Sequence, residues 1–299
     1  MGYIIENANI LKETQLTKCS LLINDTIITA RESQLNRYKL MKMDMDAYIM
    51  TPSFVLFDPN IPLKTSFRDL RHYLMGHFLM KGSTTLLTYV TVSYESELCE
   101  KIRQTKTALI SSPIDFVLAV KIPARLLTPS FIRKCKKEKI PAIFIEADNI
   151  HDLENLPWGW IREAMFPYNQ PLIPIISTQL KKEAKGVLSK WKAIMEKEKL
   201  PAIFEELKEH EPLSVPTLNK IGLYREKTSL LHGSELSYNL YFKGREIKNV
   251  DEVNLFLYHG DRLAVTVHKG KVVRAGKEVL IKPGNGEHVK VQTPSYFSF

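Results

Sequence analysis

The sequence predicts an α/β protein, with a parallel sheet or barrel in the middle of the chain and β segments at both ends. Three observations carry this. From Pro52 to about residue 200, apolar runs of strand length alternate with helical patterns. Those runs are continuous rather than alternating, as strands covered on both faces require. Outside this region, short strands separated by turn residues dominate.

The elements follow in order. YIIENANI (3–10) and SLLINDTIIT (20–29) read as strands, with Asn24-Asp25 as a turn or bulge. DAYIMTP (46–52) reads as another, closed by Pro52. Five runs then follow: FVLFD (54–58), TTLLTYV (84–90), DFVLAVKIP (115–123), AIFIEA (142–147) and PLIPIIS (171–177). Helical patterns separate or follow them near 66–80, 95–106, 129–138, 158–165 and 179–199. The last helix puts Val187, Leu188, Trp191, Ile194 and Met195 on one face, which marks it for packing on the sheet. KEKIPAIFIE (137–146) and KEKLPAIFEE (197–206) nearly repeat, which adds a strand near Ala202. Beyond Thr217, ELSYNLYFKG, VNLFLYHG, RLAVTVHKGKVVRAG and EHVKVQT read as strands again.

The 299 residues carry 44% hydrophobic side chains, ample for a sizeable core. A formal charge of +9 weakly favours anionic partners, but the motifs of base readers are absent, so nucleic acid is not expected. Cys19, Cys99 and Cys135 are far apart, with no CxxC, as free thiols in a reducing compartment would be. The first residues turn polar too early for a signal peptide, and no apolar run reaches bilayer length. These features predict a soluble, cytoplasmic protein without a membrane partner.

Motifs at the joints carry a resemblance. TPSFVLFDPN resembles the Pro-Gly-Phe-Ile-Asp-x-His-x-His segment of the amidohydrolase superfamily. In that match Ser53 stands for Gly, Asp58 for the first His and Asn60 for the second. FLMKGSTTLL resembles the Gly-Gly-x-Thr-Thr turn into the second barrel strand. NKIGLYREKTSLLHGSELSYNLYFKG resembles the return to the β domain, and TVHKGKVVRAG the final hairpin. The branch indicated is that of hydantoinases, dihydropyrimidinases and dihydroorotases, with N-acetylglucosamine-6-phosphate deacetylases near it. The resemblance implies a (β/α) TIM-type barrel, here shortened or incomplete over 52–219. It also implies a small β-sandwich domain built from both termini, 1–51 and 220–299.

The resemblance also implies metal ligands, and the sequence departs from it there. Hydrolysis of an unactivated amide at neutral pH calls for metal-bound water and about three protein ligands. None of the eight histidines ends a central apolar strand. Asp58 and Asn60 hold degenerate ligand positions. Their other reading is a turn bonded to nearby backbone. Lys121 ends the third run, either as a bridging or anion-anchoring lysine or as a solvated stem. Glu146 ends the fourth run and Ser177 the fifth.

The expectation is therefore an amidohydrolase-like protein that has lost metal-dependent hydrolysis and acts in binding, scaffolding or regulation. No cofactor is expected. The ligand pocket is expected at Asp58, Asn60 and Ser177, with a small anion as one ligand. The partner is expected to be a second copy or another protein. The alternative is a divergent hydrolase of cyclic amides or N-acyl compounds using Asp58, Lys121 and Glu146, with a divalent metal such as zinc.

Overall fold

The computed structural model describes residues 2–178, 181–244, 250–280 and 283–295. Two sheets organise them. The first is mostly antiparallel and draws on both ends of the chain. β1 (Gly2–Lys12), β2 (Gln15–Asn24) and β3 (Ile27–Glu32) form a meander. β4 (Met41–Asp44) and β5 (Tyr48–Pro52) pair in parallel with successive parts of β1.

The second sheet is parallel. It comprises β6 (Phe54–Phe57), β7 (Ser83–Thr91), β8 (Asp115–Pro123), β9 (Ile143–Ala147) and β10 (Leu172–Ile176), paired in chain order. Between these strands run α1 (Phe67–His77), α2 (Leu98–Ala108), α3 (Pro129–Lys137), α4 (Ile150–Glu154) and α5 (Trp158–Met165). Ser66 caps α1 and Thr128 caps α3 with side-chain oxygens, as helix starts require. α6 (Lys181–Glu198) follows β10 and buries Val187, Trp191 and Met195. α7 (Val215–Ile221) and α8 (Tyr224–Lys227) lead back to the first sheet.

The return strand β11 (Tyr238–Phe242) pairs antiparallel with β5, so the two ends of the chain share one sheet. After α9 (Glu252–Tyr258), β12 (Leu263–His268), β13 (Lys271–Ala275) and β14 (Glu278–Val279) extend it. Asn239 locks the sheets together. Its side-chain amide donates to the Gly82 carbonyl at 2.9 Å, and its oxygen accepts from Thr266. Gly82 has φ +79° and no room for a Cβ, which would lie 2.7 Å from the Asn239 Oδ1.

Both edges of the parallel sheet meet one segment. At β10, Ile203 N donates to the Leu172 carbonyl, and Leu172 pairs with Ala202. At β6, His210 N donates to Phe57 O and Leu213 N to Val55 O. The sheet therefore curls until residues 202–213 touch its first and last strands.

The near repeat marks a repeated helix end. Lys139 and Lys199 both take positive φ, and Ile140 and Leu200 donate backwards to Cys135 and Met195 at 3.0 Å each. The first copy leads into β9. The second gives only the bridge at Ala202 rather than a regular strand.

Two expected terminal strands need correction. VNLFLYHG is helical, as α9. Asp251 accepts from Asn254 N at 2.7 Å, and Leu255 and Phe256 are buried on one side. EHVKVQT lies on the parallel sheet instead of the terminal one. β9 pairs only with the far end of β8, from Val120 onward. Residues 287–289 fill the space left beside Phe116, with Phe116 N donating to Glu287 O and Val289 N to Phe116 O.

Candidate functional site

Strand parity decides what the parallel sheet presents at its C-terminal end. Side chains two apart share a face. Val55 and Phe57, Leu87, Val117 and Ala119, Ala142 and Phe144, and Ile173 pack together as the inner core. Leu56, Leu86, Leu118, Ile145 and Leu172 pack on the other side, with the helices. At the inner mouth Phe57 stacks on Phe144 at 5.1 Å and 12°, and Tyr89 tilts against both.

The inner register then continues to Pro59, Thr91, Lys121, Glu146 and Ser177. Lys121 Nζ lies 2.7 Å from Glu146 Oε1, and Ser177 Oγ donates to the same oxygen at 3.1 Å. The Lys121 ammonium also stands 6.0 Å from the centroid of the Tyr89 ring. The structure thus joins three residues that the sequence placed on three separate strands. Burial pushes the Tyr89 phenol up, and Glu146 and Glu209 push the same way against Lys121.

Asp58 and Asn60 are elsewhere. Asp58 N still donates to Leu87 O, so the strand register holds through this residue and its side chain shares the outer face with Leu56. It is fully buried. The Tyr73 hydroxyl of α1 donates to Asp58 Oδ2 at 2.5 Å, and Asn60 N donates to Oδ1 at 2.8 Å. The turn reading is the one observed, with Tyr73 added. Asn60 faces outward and donates to Glu209 at 2.8 Å. Asp58, Asn60 and Ser177 do not line one pocket.

Two histidines gather beside Asp58, His77 from the end of α1 and His210 from the segment that closes the sheet. His210 Nε2 is 3.8 Å from Asp58 Oδ2, and the His77 and His210 rings lie 4.9 Å apart. Burial holds the His77 imidazole below its usual range, and neighbouring His210 and Lys81 add to this. Burial also raises the Tyr73 phenol, reinforced by the Asp58 carboxylate that it bonds. The only sequence signal was His210 in the loop after the second repeat copy, a loop whose path was not legible.

A second cluster sits where the sheets meet. Asp115, Glu235 and His268 bring one ligand atom each within 4.8 Å of one another. Lys227 already occupies their midst, 2.8 Å from Asp115 and 2.5 Å from Glu235. Lys269 lies 2.8 Å from both Asp115 and Glu287. Burial alone would raise Asp115, but His268 and Lys227 hold its carboxyl well below the usual range. Burial would lower Lys227, and its carboxylates hold it above the usual range. Two ammonium groups supply the positive charge that a metal would bring.

The metal that hydrolases of the resembled type use does not fit the strand ends. The inner positions offer one carboxylate bound to a lysine, two hydroxyls and a proline. A catalytic zinc site calls for about three His, Cys or carboxylate ligands. Asp58, the carboxylate just past β6, is on the other face and spends both oxygens on Tyr73 and Asn60.

No protein-family model matches the sequence, and no curated protein matches it. Solved structures do. A dihydropyrimidinase from Brevibacillus agri aligns over 98% of this chain and 99% of its own, with a TM-score of 0.63 and 10% identity. A D-hydantoinase aligns over 99% of this chain and 100% of its own, with a TM-score of 0.63 and 11% identity. A mutant atrazine chlorohydrolase from Arthrobacter aurescens, complexed with zinc and atraton, covers 94% of this chain and 97% of its own, at 0.55 and 11%. Such low identity speaks for backbone and not for chemistry. In its path of strands, its curled parallel sheet and these likenesses, the chain shares the fold of these dihydropyrimidinase, hydantoinase and chlorohydrolase structures.

Proposed function

We propose that this protein has lost metal-dependent hydrolysis and works as a binding, scaffold or regulatory protein. The inner face of the strand ends carries the reading. Its cation and carboxylate, Lys121 and Glu146, neutralise each other above an aromatic floor of Phe57, Tyr89 and Phe144. Residues 52–219 then act as a shortened barrel closed by 202–213. Residues 1–51 and 220–299 act as a composite β-sandwich domain, except that 287–289 join the parallel sheet. A separate core of Ile5, Leu21, Ile28, Met50, Leu236 and Leu240 supports that division. With Lys121 already paired, a small anion is the weaker partner, and a second copy or another protein the stronger.

Metal analysis of untagged protein by plasma emission, with light scattering for subunit number, tests this. The expected result is substoichiometric zinc and an oligomer or a stable partner complex. One or two tightly held transition metals per chain would overturn it. The alternative, a divergent hydrolase of cyclic amides, draws support from one observation: Lys121, Glu146 and Ser177 converge on the face where such folds work. Turnover of hydantoin or dihydroorotate that Glu146→Gln abolishes, while Asp58→Ala retains it, would favour that reading.

A further inference from the structure

A second cavity shares no residue with the strand-end site. It encloses about 350 Å³ between the edge of the parallel sheet and the terminal sheet. That volume is within the range of small-molecule sites. Its walls are largely apolar: Pro52, Phe54, Leu213, Pro216, Leu218 and Val253. Phe54 is braced edge-on by Phe256 of α9 at 5.1 Å, so the wall is part of the packed core.

Three carboxylates border it, and they differ. Asp251 is spent on its helix, accepting from both the backbone N and the side-chain amide of Asn254. Glu13 stands on the exposed turn between β1 and β2. Glu252 lines this cavity and also a smaller recess beside Leu11 and Leu230. It is half-buried. Among the described residues it has no hydrogen-bond donor and no ion-pair partner. Burial, with Glu13 and Asp251, pushes its carboxyl up to about 7, and Lys12 only tempers this. An acid held there gains from any cation that reaches it, because the cation offsets both desolvation and repulsion.

We propose that this cavity binds a small organic ammonium, its hydrocarbon part against Phe54, Leu213 and Val253 and its N–H groups on Glu252 and Glu13. Apolar walls with one unpaired carboxylate suit that pairing. A hydrated inorganic cation would leave the walls unused, and an organic anion would meet three like charges.

Thermal-shift titration of the full chain tests it. The probes are hexylammonium and phenethylammonium, with hexanol, hexanoate and Mg²⁺ as comparisons. The ammonium ions raise the melting temperature by several degrees, the anion does not, and hexanol does so only weakly. The effect grows between about pH 6 and about pH 8 as the carboxyl ionises. The other groups facing Glu252 are Lys12, Glu13 and Asp251, with Arg31 and Tyr224 across the smaller recess. Arg31 is turned to the Leu230 carbonyl. Glu252→Gln weakens binding about tenfold or more and flattens the pH dependence. Val253→Phe keeps the carboxylate but narrows the cavity, and it weakens binding too. Equal stabilisation by hexanol or Mg²⁺, or undiminished binding in both variants, overturns the proposal.

Discussion

Lys227→Met removes the cation at the junction of the two sheets, and its cost can be worked from the structure. Lys227 is 8% exposed, with carboxylates at 2.5, 2.8 and 3.5 Å. Methionine fills similar volume, so little cavity forms. What remains is a fully buried Asp115 and a half-buried Glu235 deprived of their strongest partner. Deleting one member of a buried ion pair costs about 3–5 kcal/mol, because the stranded charge stays desolvated. Lys269 still reaches Asp115, which argues for the lower end, about 3 kcal/mol. At roughly 2 °C per kcal/mol for a chain of this size, the melting temperature falls by about 6 °C or more.

The pH dependence has a definite sign. The lysine is raised in the fold, so its stabilisation is fully present below about pH 10 and fades only above it. Asp115 is depressed, so its share is present above about pH 4 and is lost as the pH falls further. The gap between wild type and variant is thus wide at neutral pH and narrows in acid. Scanning calorimetry between these limits measures it. A loss under about 1 kcal/mol at neutral pH would refute the buried-clamp argument. Lys227→Met also leaves Asp115, Glu235 and His268 without their central cation. Added Zn²⁺ is expected to restore part of the lost melting temperature in the variant and none in wild type.

Three further outcomes follow from other sites. A Cβ on Gly286 would lie 1.9 Å from the Ile114 carbonyl, at an ordinary φ, so Gly286→Ala expels residues 287–289 from β8. With the hydrogen bonds Gly286–Ser112, Phe116–Glu287 and Val289–Phe116 lost, the cost is about 3 kcal/mol. Hydrogen exchange should report it at the Phe116 and Val289 amides, whereas Gly159→Ala, at an ordinary φ with nothing within 4 Å, should leave them protected. Tyr73→Phe strips one donor from buried Asp58 and should cost about 1–3 kcal/mol by urea denaturation without changing subunit number. Glu252→Gln should gain on wild type as pH rises from about 4.3 to about 7, then run parallel to it, because a raised acid loses stability over that interval.

The five central strands were legible because burial on both faces leaves unbroken apolar runs, as in DFVLAVKIP. The union of the two chain ends was legible only through motif order, since no local pattern in DAYIMTP names β11 as a neighbour of β5. VNLFLYHG misled because a short apolar run fits strand or helix equally. Asp251, a capping residue just ahead of it, was the signal that separates them. EHVKVQT did read as extended. Its partner is set by the gap that late-starting β9 leaves beside β8, which is a tertiary fact. At the site, Lys121, Glu146 and Ser177 were found as strand ends, but their contact needed the curl of the sheet. His210 came to Asp58 through a closing loop without any periodic pattern.

Restoring the missing histidines tests how deep the departure from the resembled enzymes runs. Asp58→His with Asn60→His recreates the family-like His-x-His spelling at the end of β6. Spelling alone does not place ligands. Position 58 shares the outer face with Leu56, against Tyr73, and its backbone N is fixed on Leu87. A histidine there displaces a buried carboxylate and meets His77 and His210, not Glu146. Position 60 points outward to Glu209. The inner mouth remains floored by Phe57, Tyr89 and Phe144, with Lys121 paired to Glu146. The expected double variant is less stable, because an imidazole at position 58 cannot accept both of the hydrogen bonds that Asp58 accepts. Isothermal titration should find no zinc bound at the inner mouth, and removing Glu146 from the double variant should change nothing. Tight zinc binding that depends on Glu146 would show that the strand end can turn over. The loss of chemistry would then reside in two side chains rather than in the packing of the whole mouth.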